Sequence, residues 1–398
     1  MDTVKVYLDH KDYVRITGGL CGSPIYREDV ETYKLLQELV QKGKITVYFS
    51  WVHVCEALKY DGKDVEIQER YCEVIESLTW GNCLIGPLDI RKRELEVFFS
   101  EEFGYPTQLK RESLAYGKYS DALFVEPCSI EEDPLEMFKE SVLKHARNRR
   151  ERKQFEKILS NPVKRRKLLQ QQMGDSLEEI KRKFPVSEDF YDVKSLVQLF
   201  DGDDQSKRTK AKQFMDGICT FKNLVTHYGL KDPEPKRFAS AFDADASELI
   251  LHIKRSQAIY QVTGHYLIEE THMENDFVER FSEKLRAETS DLSAKFGFPI
   301  DEAIKRLKTS KLRGVPSLGV VVITILEYLK KHKGDLIQGK PPSESDLRDL
   351  FHATHIPYVD FYLTDRFFST VDQKGGKLYS TQVLRSLSQL RLHLESLR

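Results

Sequence analysis

The segment DLRDLFHATHIPYVDFYLTDRFF, residues 346–368, decides the fold. It reads as a helix opening on Asp346 and Asp349, followed by a short apolar strand, VDFYL, that runs straight into Thr364 and Asp365. Carboxylates at the head of a helix and at the foot of the next strand, inside otherwise apolar segments, are costly to bring together unless a cation binds between them. That pattern points to a metal site.

The N-terminus supplies a matching half. VKVYLD, residues 4–9, is a run of β-branched and aromatic residues that stops on Asp9; ITVYF, residues 45–49, leads through Ser50 into a helical run, WVHVCEALKY, that carries Glu56. LIGPLDI, residues 84–90, reads as a third strand before the helix RKRELEVFF. In an open parallel sheet, polar function gathers beyond the carboxyl ends of the strands. Asp9 and Asp365 are therefore expected at one edge, and four acids from four elements can converge there. The fold class is α/β, with a mainly parallel sheet flanked by helices. Residues 1–100 and 317–398 form the two halves of that domain, and residues 101–316, helical in pattern, form a large all-α insertion. The helix in PSLGVVVITILEYLKKHKG is apolar on more than one face, so it is expected to lie buried against the sheet.

The order and spacing of these acids resemble the PIN-like nuclease superfamily. Its members carry an Asp at the end of the first strand, a Glu in a helix shortly after a strand ending in Ser or Thr, an Asp in a D-x-x-H-A type helix, and an Asp in a T-D element. Here those positions are Asp9, Glu56, Asp349 in DLFHA, and Asp365 in LTD; the lead-in Pro357-Tyr358-x-Asp360 is also similar to that of some longer bacterial members. The chain departs from the pattern at His10 and Lys11, where a small polar residue is usual. A lysine there weakens one metal position or meets phosphate instead. The resemblance implies a PIN-like domain split by the insertion, and a metal-dependent endonuclease that hydrolyses phosphodiester bonds, in RNA more than in DNA. Hard carboxylate oxygens suit two Mg²⁺ or Mn²⁺ ions, one activating water and one stabilising the leaving oxygen. Asp9, Glu56, Asp349 and Asp365 are the expected ligands and catalytic residues.

Ser50, Asp346, His352, Asp360 and Thr364 are expected in support. Asp346 equally reads as a helix-start residue, spaced from Ser343 like a capping box. Asp360 lies about 16 Å from Asp365 along an extended strand, too far to share an ion pair with it, and is expected to bond a neighbouring element.

The chain has 398 residues, 40% hydrophobic and 31% charged, which fits a globular protein of two to three domains. Its longest apolar run, LGVVVITIL, falls short of the roughly 20 residues that span a bilayer. No membrane association and a cytoplasmic location are the expectation. Six scattered cysteines show no zinc-like spacing and are expected to be reduced. The net charge is only −1, yet between Lys144 and Leu169 there are eleven basic residues against two acidic ones. Lys144, Arg147, Arg149, Arg150, Arg152, Lys153, Lys164, Arg165, Arg166 and Lys167 form a candidate track for a nucleic-acid backbone, because each neutralised phosphate releases condensed counterions. Two other readings stay open: a catalytically silent nucleic-acid-binding or scaffold protein with the same fold, and a metal-dependent phosphohydrolase acting on a small substrate.

Overall fold

Val6 and Tyr7 of VKVY and every residue of ITVYFS but Thr46 are buried, as the central strands of a sheet covered on both faces are. The computed structural model describes residues 3–58, 65–118, 139, 142–143, 148–183, 197, 221–222, 225, 270–331 and 344–398. Its strands are β1 (Val4–Tyr7), β2 (Ile45–Ser50), β3 (Asn82–Leu84), β4 (Tyr116–Lys118), β5 (Phe361–Leu363) and β6 (Gln382–Leu384). They form one six-stranded sheet in the order β4-β3-β2-β1-β5-β6. The pairs β1–β2, β1–β5, β2–β3 and β5–β6 are parallel.

Helices α1 (His10–Leu20), α2 (Arg27–Gln41), α3 (Trp51–Leu58), α4 (Val65–Thr79) and α5 (Pro87–Phe103) follow the early strands. Later in the chain come α6 (Arg149–Leu159), α7 (Pro162–Lys183), α8 (Glu270–Lys284), α9 (Arg286–Phe296), α10 (Ile300–Thr309), α11 (Pro316–Lys331) and α12 (Glu344–Ala353). The C-terminal helices are α13 (Phe368–Val371), α14 (Gln373–Tyr379) and α15 (Leu387–Glu395). The mainly parallel α/β sheet matches the expectation, with one local correction. LIGPLDI is not a strand throughout: β3 stops at Leu84, and Pro87 opens α5, where its fixed φ suits the first helical turn.

The chain divides into two compact units, one built from Met1–Gly117 and Glu234–Arg398, the other from Lys118–Pro233. These bounds stand beside the 100 and 317 read from the sequence. Residue 116 begins a fourth strand at the sheet edge, and residues of α8 to α10 share a hydrophobic cluster with α5 in the first unit. Aromatic residues explain this attachment: Phe298 stacks on Phe103 at 4.8 Å and lies 5.0 Å from Phe99, a ring with no exposed surface. Burial of such a side chain contributes roughly 1.5–3 kcal/mol. Helix α11 is buried along most of its length. Its Val320 joins the sheet-side cluster, Leu318, Val322 and Leu326 join the α5–α10 cluster, and Ile325 and Tyr328 pack against Phe368 and Val371. No described helix is long and apolar enough to cross a membrane.

Candidate functional site

In the strand order, β1 stands between β2 and β5. The chain builds outward from β1 in one direction through β2, β3 and β4, and in the other through β5 and β6. The gap between β1 and β5 is thus a topological switch point, the place beyond which open α/β sheets hold ligands. Register aligns the residues there. Tyr7 pairs with Tyr48 on β2 and with Tyr362 on β5, so Asp9, Ser50 and Asp365, two or three residues farther on, reach the same carboxyl edge. Ser50 ends β2 and α3 begins at Trp51, bringing Glu56 over that edge. Helix α12 buries Leu350 and Ala353 in the core and leaves Asp349 partly exposed beside it.

The charges of neighbouring acids reach Asp349 and Asp9. Burial raises the Asp349 carboxyl to about 8, and the charges of Asp9, Asp365 and Glu56 add to the rise against that of His352. Burial also raises Asp9, helped by the charge of Glu56 and opposed by His352, Lys11 and His10. Glu56 behaves oppositely: burial would raise it, but the charge and hydrogen bond of His352, with His10 nearby, bring it down to about 2. The partner responds in kind. Burial would lower His352, yet Glu56 and then the charges of Asp9 and Asp349 lift it to about 9.

Individual oxygens have clear neighbours. Asp9 Oδ2 lies 3.5 Å from Lys11 Nζ, so the lysine that departs from the PIN-like pattern sits on the first carboxylate. Glu56 Oε2 is 3.2 Å from His352 Nε2 and 3.7 Å from His10 Nδ1. Asp365 Oδ1 accepts the Phe368 N–H at 2.6 Å and so caps α13. Thr364 is buried at the end of β5, its N–H donating to Leu384 O at 3.0 Å. Asp346 lies one turn before Asp349 on α12, and its side chain is outside the described residues. Asp360 is not part of this cluster: it stands at the amino end of β5, where its Oδ2 accepts the Lys5 N–H at 2.7 Å. Its role there is to lock β5 to β1. Extended geometry forces that separation, since a strand lies between Asp360 and Asp365.

Beneath the acids runs a buried polar network. Tyr7 Oη is 2.6 Å from His352 Nδ1 and 2.7 Å from Ser50 Oγ. The Ser50 N–H donates to His53 Nδ1 at 3.0 Å, so that nitrogen carries no proton and Nε2 donates to Leu8 O at 2.8 Å. His53 is accordingly neutral, and burial pushes it well below the usual histidine range. Tyr7 and His53 were not among the site residues expected from sequence: Tyr7 lies in a buried strand, and His53 reads with Glu56 as an ordinary hydrogen-bonded pair on one helix face, whereas its ring bonds Ser50 and Leu8.

Two further acids were missed. Asp372 is fully buried between α13 and α14; its Oδ1 accepts from Thr324 Oγ1 at 3.1 Å, and its Oδ2 has no hydrogen-bond partner. Burial raises it to about 8, with a contribution from the charge of Asp365. Asp12 is also fully buried, raised to about 8 by burial and by Asp9; its Oδ2 accepts the Asp9 N–H at 3.3 Å and its Oδ1 has no partner. The Asp9-x-x-Asp12 spacing was a signal for the second. Nothing in the local sequence marks Asp372.

The carboxyl groups of Asp9, Glu56, Asp349 and Asp365 are hard-oxygen donors, which suit Mg²⁺ or Mn²⁺ in kind. Asp12 and Asp372 each add one buried carboxyl oxygen without a hydrogen-bond partner. Among the described residues, however, no group of three or more His, Cys, Asp or Glu side chains is arranged to hold a metal ion.

The second unit carries the basic segment. Helix α6 is capped by Asn148, whose Oδ1 accepts the Glu151 N–H at 2.9 Å, and α7 by Asn161, whose Oδ1 accepts from Val163 and Lys164 at 3.1 Å. Phe155, Leu159, Leu168 and Leu169 pack together with Val142 and Val197. The opposite surface exposes Arg150, Arg152, Lys153, Lys157, Lys164, Arg166 and Lys167, with Arg152 reaching Glu156 at 3.6 Å. Arg165 is half-buried and donates to Leu159 O at 3.2 Å. Lys144, Arg147 and the Arg149 side chain lie outside the described residues. No family model, curated protein or solved structure matches this chain.

Proposed function

We propose that this chain is a metal-dependent endonuclease of PIN-like type that hydrolyses phosphodiester bonds, in RNA more than in DNA. What supports this reading is that Asp9 and Asp365 follow β1 and β5 at the switch point of the sheet, and that Asp349, on a separate helix, feels the charges of Asp9, Asp365 and Glu56. The preference for RNA rests on the resemblance alone.

Asp9, Asp349 and Asp365 would hold a divalent ion and Glu56 would complete the set. When bound, that ion supplies Lewis acidity to a phosphoryl oxygen and acidifies water. Lys11 stands beside Asp9, where a phosphate oxygen can replace the carboxylate as its partner once the acid is engaged. The exposed lysines and arginines of α6 and α7 would hold the nucleic-acid backbone by charge. Phe155 is the one aromatic residue between 144 and 169 and packs inward, so base stacking contributes little there.

The primary test is cleavage of mixed RNA and single-stranded DNA with Mg²⁺, Mn²⁺ or chelator. Cleavage that needs the divalent ion supports the reading. Its absence with every ion, with binding retained, makes the silent scaffold the better one. Charge reversal at Arg150, Lys153, Lys164 and Lys167 should weaken RNA binding and flatten its salt dependence by roughly 0.7 log units of affinity per log unit of salt for each lost phosphate contact. Mn²⁺ affinity should not change. Unaltered RNA affinity in that variant would show that the basic surface is merely solvated.

A further inference from the structure

Glutamate is a poor ligand when left to itself. Its side chain has three free torsions, and ordering a long side chain costs up to about 1.5–2 kcal/mol. Glu56 is therefore useful at the site only if something holds it. His10 does not do this: its Nδ1 is 3.7 Å from Glu56 Oε2 and is bonded to Tyr71 Oη at 2.6 Å. His352 Nε2, at 3.2 Å, is within hydrogen-bond reach.

The His352 ring is itself immobile. It is 2% exposed, packed edge-on against Tyr7 at 5.7 Å and against His53 at 5.1 Å. Its Nδ1 is bonded to Tyr7 Oη, Tyr7 Oη to Ser50 Oγ, and Ser50 to His53 through both its N–H and its Oγ, the latter at 3.3 Å. His53 ends the chain on the carbonyl of Leu8, the residue before Asp9. One continuous hydrogen-bonded frame therefore links the Glu56 carboxylate to the backbone that presents Asp9.

We propose that His352 is a positioning residue of this site: through Nε2 it orients the Glu56 carboxylate for ion binding, while Tyr7, Ser50 and His53 hold the ring. The proposal rests on the ion-dependent reading above. It gives the histidine of DLFHA a task distinct from that of a ligand.

Two isosteres separate the functions of the two ring nitrogens. A glutamine amide nitrogen falls near the place of Nε2 and keeps the bond to Glu56. An asparagine amide nitrogen falls near Nδ1 and keeps only the bond to Tyr7. Mn²⁺ affinity is measured by titration on the full chain, with thermal unfolding as the check on folding. His352→Asn should weaken Mn²⁺ binding by about 10- to 100-fold and His352→Gln by clearly less, the range seen when a group supporting a metal ligand is lost. On a Glu56→Gln background, His352→Asn should cost little more, because it acts through Glu56. Equal affinities for the Asn and Gln variants, or losses that add fully to that of Glu56→Gln, overturn the proposal. A parent chain that binds no Mn²⁺ overturns both this and the nuclease reading, whereas a parent that binds Mn²⁺ and an Asn variant that binds as well overturns this alone.

Discussion

Asp9→Asn and Asp365→Asn are each expected to lower metal-dependent cleavage by about 1,000-fold or more, equivalent to roughly 4 kcal/mol of transition-state stabilisation. Each change keeps size and hydrogen-bonding shape and deletes the anionic oxygen that a hard cation requires. In Asp365→Asn the amide carbonyl oxygen can still accept the Phe368 N–H, so the cap on α13 survives. At Asp9 the ion pair with Lys11 is lost, but at 3.5 Å and with the lysine 31% exposed that pair is worth at most about 1 kcal/mol. Against it stands the relief of repulsion from Glu56 and the removal of a buried charge. The ion-free melting temperature should therefore hold or rise, while the stabilisation added by Mn²⁺ shrinks, since it depends on binding to the native site. Parent-like cleavage by both variants would leave the nuclease reading without support.

Glu94→Ala should produce the largest loss of stability, about 3 kcal/mol or more, read from the denaturant midpoint. Glu94 is fully buried on α5, and its Oε1 accepts the Ser317 N–H at 2.8 Å and the Tyr358 hydroxyl, while Oε2 accepts the Ser317 hydroxyl at 2.5 Å. It thus caps α11 and joins the N-terminal part of the sheet domain to its C-terminal part. Truncation strands three buried donors, and each stranded donor costs roughly 1–3 kcal/mol. Glu94→Gln keeps an acceptor for the N–H and the tyrosine and should cost about 1 kcal/mol or less.

The same residue predicts a pH dependence. Burial, opposed by the Ser317 and Tyr358 hydrogen bonds, lifts Glu94 from 4.5 to about 7. With the folded value above the unfolded one, the folded state binds the proton more tightly. The stabilisation is full below pH 4.5 and is lost as pH rises through about 7, a change on the order of 3 kcal/mol. Glu94→Gln should lack this component, so it should gain on the parent as the pH is raised from about 5 to about 8. Parallel stability curves for the two proteins over that range would refute the assignment.

Local pattern was enough to place the strands VKVYLD and ITVYF, the buried helix α11, Asp9 and Asp365 just beyond strand ends, and Glu56 and Asp349 on helices, because apolar periodicity records burial and a break in it records an edge. It was not enough at LIGPLDI, where a short apolar run fits a strand and a helix equally and Pro87 decides for the helix. Nor could it separate Asp12 and Asp372 from surface acids, since a carboxylate's burial depends on what packs over it. The bond between Tyr7 and His352 spans 345 positions in the chain. Such a contact follows from strand order and register, which bring β5 beside β1 and α12 above them, and no local pattern encodes which distant buried side chains will meet.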